Sequence, residues 1–184
     1  MNPVRTATVF THRRPTETGP AINILLDMAR DAGAVLRFDP AETRKHRLEL
    51  AEGLELDAPV RQDVDICFAL GGDGTILRAL RSYARTGVPV FAVNFGEVGF
   101  LATVDPDELA DGFVHAFRGE FDRLDLPAIE VEVEDRSYLA FNDISLHRRV
   151  LHGRIDILRA ERERRRRGHH VDPKDLGTIL GGPR

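Results

Sequence analysis

An apolar run, Val64-Asp65-Ile66-Cys67-Phe68-Ala69-Leu70, ends in Gly71-Gly72-Asp73-Gly74-Thr75 and continues as Ile76-Leu77-Arg78-Ala79-Leu80-Arg81. That order reads as strand, tight turn, helix. Glycines let the backbone turn sharply and come close to a ligand with no Cβ in the way. The first N–H groups of the following helix have no intrahelical acceptors and carry partial positive charge, so the turn is a seat for phosphate. Asp73 sits in the middle of it. A carboxylate repels phosphate, so an acid here calls for a chemical reason: accepting a proton or helping to hold a metal ion. Taken alone the turn also reads as structural, since Asp-Gly pairs are common turn formers. It is not a Walker loop, because no Gly-Lys-Ser/Thr follows. Nor is it the dinucleotide fingerprint, whose third glycine would fall where Leu77 stands.

The surrounding sequence alternates in the same way. Ala7–Phe10 is predicted as a strand, Ala21–Ala32 as a helix with Ile22, Leu25, Leu26 and Ala29 on one face, and Ala34–Phe38 as a strand. A charged and helical stretch is expected over Ala41–Glu52. The helix after the glycine turn should run to about Arg85, followed by a strand at Val90–Asn94 and a helix from Pro106 to Phe117 capped by Asp105. Such alternation predicts an α/β fold, a Rossmann-like parallel sheet flanked by helices. Ala128–Glu134 alternates apolar and acidic residues, the pattern of a half-exposed antiparallel strand, and Tyr138–Phe141 and Ile144–Leu146 look like further strand. The expected organisation is an α/β phosphate- and nucleotide-binding domain at 1–123, the start of an all-β second domain at 124–150, and an irregular charged tail at 151–184.

Bulk properties narrow the class. A net charge of −4 gives no general attraction to nucleic acid or anionic membrane. No apolar run reaches membrane-spanning length and the N-terminus has no apolar signal core, so a cytoplasmic location is expected, with neither membrane nor nucleic acid as partner. The single cysteine, Cys67, is expected to be a buried small hydrophobe. Arg164-Arg165-Arg166-Arg167 lies in a stretch that is nearly all charge and reads as solvated. His169-His170 has no further ligands at metal-binding spacing, so no metal-ligating residue is assigned.

Two more segments belong with the turn. Asn94-Phe95-Gly96-Glu97-Val98-Gly99-Phe100-Leu101-Ala102 follows a strand and so leaves the same sheet edge, where ligands of open α/β sheets bind. Phe100 is sized to cover a flat ring, or to pack in the core. Asn142-Asp143 pairs an amide with a carboxylate, suited to sugar hydroxyls or a base edge, or to an ordinary turn. In this order and spacing, Gly71–Arg78, Asn94–Ala102 and Phe141–Arg148 resemble the NAD kinase family, over residues 5–148. Members of that family transfer the terminal phosphate of ATP, and in some cases of polyphosphate, to the 2′-hydroxyl of the adenosine ribose of NAD, giving NADP.

The resemblance implies a role for each matching residue. Asp73 would be the general base. Gly71, Gly72, Gly74 and Thr75 would cradle phosphate, with Asn94 in the neighbouring loop. Arg78 and Phe100 match the family's basic and aromatic residues at the dinucleotide, and Asn142 and Asp143 match its Asn-acid pair. Mg²⁺ or another divalent cation would arrive with ATP, bound by phosphate oxygens and water. Homo-oligomers are common in the family. Other Gly-Gly-Asp-Gly kinases, of the diacylglycerol or sphingosine lipid type or related to phosphofructokinase, form a second reading, disfavoured by Ile76-Leu77-Arg78 and the Asn94 loop. A nucleotide-binding remnant without turnover is a third.

The chain departs from the family after Leu151. The family's Asp-Gly-x-x-x-Ser-Thr-Pro-Thr-Gly-Ser segment, which completes the dinucleotide pocket, does not occur in these 184 residues. Codons for Arg166–Lys174, read one base out of frame, can encode Asp-Gly-Val-Ile-Met-Ser-Thr-Pro. A one-base frame slip between Leu151 and Arg166 is therefore expected, and with it weak or absent turnover by this polypeptide.

Overall fold

The computed structural model describes residues 2–95, 108–133, 135–141, 145–148, 155–159 and 177–180. Their centre is a seven-stranded sheet of order β3-β2-β1-β4-β5-β11-β6. The strands are β1 (Thr6–Thr11), β2 (Val35–Arg37), β3 (Leu54–Glu55), β4 (Ile66–Leu70), β5 (Val90–Val93), β6 (Arg123–Leu126) and β11 (Gly177–Leu180). The five from β3 to β5 are parallel, with β1 aligning Ala7 on Ile66 and β4 aligning Cys67 on Val90. β11 continues parallel to β5, and β6 closes the edge antiparallel to β11.

The central strands are buried on both faces, which is why they read as continuous apolar runs. On one face Val9, Ile66, Phe68, Leu70, Phe91 and Val93 meet α1 (Pro15–Ala32) and α4 (Leu109–Arg118). There Phe68, Phe91, Phe113 and Phe117 pack with ring centroids 5.3–5.6 Å apart. On the other face Phe10, Cys67, Ala69, Val90 and Ala92 meet α3 (Asp73–Tyr83). Cys67 is fully buried, and burial pushes its thiol pKa up, so it is the inert small hydrophobe expected of it.

Element boundaries differ from expectation where packing overrides local signals. α1 begins at Pro15, not at Ala21, and carries Pro20 inside it. Thr18, fully buried, extends the stripe of Ala21, Ile22, Leu25 and Ala29 by one turn, and the helix runs through Pro20, which lacks an N–H to donate. α2 (Pro40–His46) stops well short of Glu52, because Arg47 adopts a left-handed cap. The predicted cap Asp105 and start Pro106 of the last helix lie outside the described residues; the described helix begins at Leu109.

Beyond Leu126 comes a small antiparallel pair, β7 (Ile129–Val133) with β8 (Arg136–Ala140), in register from Ile129–Ala140 to Val133–Arg136. Arg85, just past α3, pairs with Glu130 and ties this hairpin to the α/β part. β9 (Ser145–Arg148) pairs antiparallel with β10 (Ile155–Arg159). From Leu151 onward the described residues are those of β10 and β11; the arginine run and His169-His170 lie outside the described residues. Among the described residues no helix is long and apolar enough to cross a membrane.

Candidate active site

The strand order places a topological switch between β1 and β4. From β1 the chain winds through β2 to β3, then crosses back to lay β4 on the opposite side of β1. In open α/β sheets the crevice at the carboxyl ends of such strands is where ligands bind. The glycine turn stands at that point. Three strand ends are bridged around it: His12 N–H donates to Leu70 O at 2.7 Å, Gly71 N–H to Val93 O at 2.9 Å, and Phe95 N–H to Gly71 O at 3.4 Å.

Within the turn, Gly72 is the extended N-cap of α3, and Thr75 and Ile76 N–H both donate to its carbonyl. Gly71 is required by space. A Cβ there would lie 2.6 Å from Thr75 Oγ1, 2.9 Å from Thr75 Cβ and 3.1 Å from the backbone nitrogen of His12. Gly74 is different: it is exposed, lies in the first turn of α3, and a Cβ on it would meet none of the described residues within 4 Å. Asp73 opens α3, where the positive end of the helix favours a carboxylate. Asn94 reaches the turn from the end of β5, its Oδ1 3.9 Å from where a Gly72 Cβ would be.

Arg78 lies one helical turn beyond Gly74, so the two share a face of α3, and long helical side chains lean back toward the N-terminus. Its guanidinium stacks 4.3 Å over the Phe10 ring and pairs with Glu42 of α2. Glu42 is fully buried and accepts from Thr11 N–H at 3.2 Å, Thr11 Oγ1 at 2.5 Å, Lys45 Nζ at 2.7 Å and Arg78. Burial alone would raise its pKa; hydrogen bonds from Lys45, Thr11 and Arg78, with the Lys45 charge, overcome that and hold it below the ordinary carboxylate value. His46 Nε2 lies 2.7 Å from Thr11 Oγ1, and burial keeps its pKa below the usual imidazole value against the pull of Glu42.

Gly71, Gly72, Asp73, Gly74, Thr75, Arg78 and Asn94 are thus gathered at the carboxyl ends of β1, β4 and β5. Phe100, Asn142 and Asp143 lie outside the described residues. Sequence reasoning missed Glu42, Thr11, Lys45 and His46. Among the described residues no group of three or more His, Cys, Asp or Glu side chains gathers as a metal-binding set.

Residues 27–121, just over half of the chain, match the family described as the ATP-NAD kinase N-terminal domain. The chain belongs to the NAD kinase family. A second family description, RsiG-like, matches residues 132–180, too short a part to assign the chain. An NAD kinase of Gemmatimonas aurantiaca is 34% identical over 147 residues, covering 76% of this chain and 48% of that protein. One from Solibacter usitatus is 30% identical over 162 residues, 84% of this chain and 54% of that one. The crystal structure of yeast NADH kinase complexed with NADH superposes with a TM-score of 0.65 at 20% identity, over 80% of this chain and 50% of that one. Its likeness establishes the fold expected from sequence, a parallel sheet flanked by helices with a small antiparallel sheet after it. The chain therefore spans about half the length of the NAD kinases it matches.

Proposed function

We propose that this chain carries the phosphate-facing half of an NAD 2′-kinase site, using ATP or polyphosphate as donor and giving NADP. The observation that carries the reading is Gly74. Among the described residues nothing around it excludes a side chain, and a glycine in a helix costs up to ~1 kcal/mol relative to alanine. A glycine kept at that cost beside Asp73 is accounted for by a ligand that comes against the backbone there. The yeast NADH kinase, with its bound NADH, supports a dinucleotide as that ligand.

In this reading the turn N–H groups of Gly72 and Gly74 and the Thr75 hydroxyl receive phosphate, with Arg78 supplying positive charge beside them and Asn94 a hydrogen-bonding amide. The ribose 2′-oxygen attacks the terminal phosphorus. The new O–P bond forms as the bond from phosphorus to its bridging oxygen breaks, ADP or shortened polyphosphate leaves, and the 2′-hydroxyl proton passes to the Asp73 carboxylate. Such base assistance contributes ~10²–10⁴-fold, the remainder coming from positioning and charge neutralisation. Magnesium enters with ATP, held by phosphate oxygens and water. Phe100, Asn142 and Asp143 are assigned to the dinucleotide by their match to the family motifs, and a cytoplasmic location accords with NAD and ATP as substrates.

The test is NADP formation from NAD and ATP by purified chain, beside its Asp73→Asn variant. NADP is expected from the wild type, at a rate well under that of full-length relatives. Asp73→Asn should lose at least 100-fold in rate while binding NAD with similar affinity. Undiminished turnover in the variant removes Asp73 as base. NAD binding with no NADP from either protein supports a non-catalytic remnant instead.

A further inference from the structure

Glu42 belongs to a polar cluster that bridges the switch-point crevice. It comes from α2, on the β2 side of β1, while Arg78 comes from α3, on the β4 side. They meet at the Glu42 carboxylate, which accepts from Arg78 and from the hydroxyl of Thr11, the last residue of β1. The hydrogen bonds determine which group faces outward. Lys45 Nζ donates to Thr11 O at 3.1 Å, Thr11 Oγ1 at 2.9 Å and Glu42 Oε2 at 2.7 Å, which uses all three of its protons. Thr11 has one hydroxyl proton, and Glu42 Oε2 at 2.5 Å takes it in preference to His12 O at 3.5 Å. His46 Nε2 must then donate to Thr11 Oγ1, so the imidazole carries its hydrogen on Nε2. Lys45 thus neutralises Glu42 and His46 saturates Thr11, so among the described residues of this cluster Arg78 is the cation with capacity left. Its side chain is 45% exposed, and one edge of a five-donor guanidinium is occupied by Glu42.

We propose that Glu42 is a positioning residue: it fixes the Arg78 guanidinium over Phe10, with the outward N–H groups held ready for the phosphate chain of the nucleotide. The inference rests on the kinase reading. A preset guanidinium loses less freedom when phosphate arrives than a solvated arginine does. The buried carboxylate is tolerated because four donors compensate it.

Calorimetric titration of the full chain with ATP tests this, comparing wild type, Glu42→Gln, Arg78→Ala and the double variant, each well below its melting temperature. Glutamine offers one carbonyl where the carboxylate offered two charged oxygens, so it cannot serve all four donors. Glu42→Gln is expected to weaken ATP binding about 10-fold, or 1.4 kcal/mol. Arg78→Ala should weaken it similarly, and the double variant should be no weaker than Arg78→Ala. Unchanged ATP affinity in Glu42→Gln, or losses that simply add, overturns the inference and leaves the kinase reading standing. Wild type that titrates with neither ATP nor NAD overturns both. A second readout needs no variant: ¹⁵N relaxation of Arg78 Nε–Hε in the unliganded wild type should match the rigid backbone, and a freely mobile guanidinium overturns the inference.

Discussion

Gly71 and Gly74 stand three residues apart in one turn and are glycine for different reasons. At Gly71 a methyl group would meet both the Thr75 side chain and the His12 backbone. Thr75 Oγ1 can rotate away; its Cβ and the His12 nitrogen move only if α3 or β1 shifts. Gly71→Ala should therefore destabilise the fold by about 1–3 kcal/mol, read from urea unfolding. At Gly74 there is room among the described residues, so Gly74→Ala should raise stability by up to ~1 kcal/mol while weakening nucleotide binding, because the ligand would meet the new methyl. A Gly74→Ala variant that binds ATP as well as the wild type would show that nothing approaches the backbone there. The sequence made both glycines visible but could not separate them, since the difference lies in what surrounds each position. Glu42 was hidden for the same reason. It lies in a run of charge that reads as solvated surface, and its partners Thr11 and Arg78 are 31 and 36 residues away. The signals that could have marked it were local: Lys45 and His46 at helical spacing from it, and a lysine in a chain whose basic residues are nearly all arginine.

At the scale of elements, α2 is short but firmly ended. Asp39 Oδ1 accepts from Ala41 N–H and Glu42 N–H, both at 2.8 Å, Pro40 fills the first helical position, and Arg47 closes the other end in the left-handed region. The capped donor belongs to Glu42 itself, so the cap also orients the buried carboxylate. Asp39→Ala should cost ~1 kcal/mol and should lower ATP affinity as well, whereas a cap that matters only to α2 would change stability alone. The start of this helix was expected at Ala41, one residue late, although Asp39-Pro40 is a strong opening signal. Its end was not legible, because a left-handed cap on arginine carries none of the punctuation a glycine gives. The early start of α1 was obscured in the opposite way: Gly19-Pro20 reads as a break, yet the helix runs through it with Thr18 buried. The central parallel strands, by contrast, were legible almost to the residue, since burial on both faces demands an unbroken apolar run.

For the whole molecule, Glu42 and His46 link stability to pH. Both have folded pKa values below their ordinary ones, 4.5 and 6.5. Each contribution is complete above the ordinary value and lost as pH falls through the lowered one. Melting temperature should therefore hold steady above pH ~6.5, begin to fall below it as His46 is forced to take a proton, and fall again below pH ~4.5 as Glu42 is neutralised. His46→Gln should remove the upper step and keep the lower; a profile flat down to pH 5 would contradict the burial of His46. The β-rich part after Leu126 is where sequence and structure are least joined, because its alternating strands specify a half-exposed face without naming what covers it. Ile129 and Tyr138 remain exposed there.

The most direct measurement is an ¹H–¹⁵N titration of the chain with NADP, whose 2′-phosphate is the group the site would have transferred. The largest shifts are expected at the amides of Gly72 and Gly74, with Asn94 and the Arg78 Nε–Hε moving alongside. Saturable binding that leaves the glycine turn unmoved, or no binding at all, would contradict the claim that phosphate meets Asp73 at this crevice.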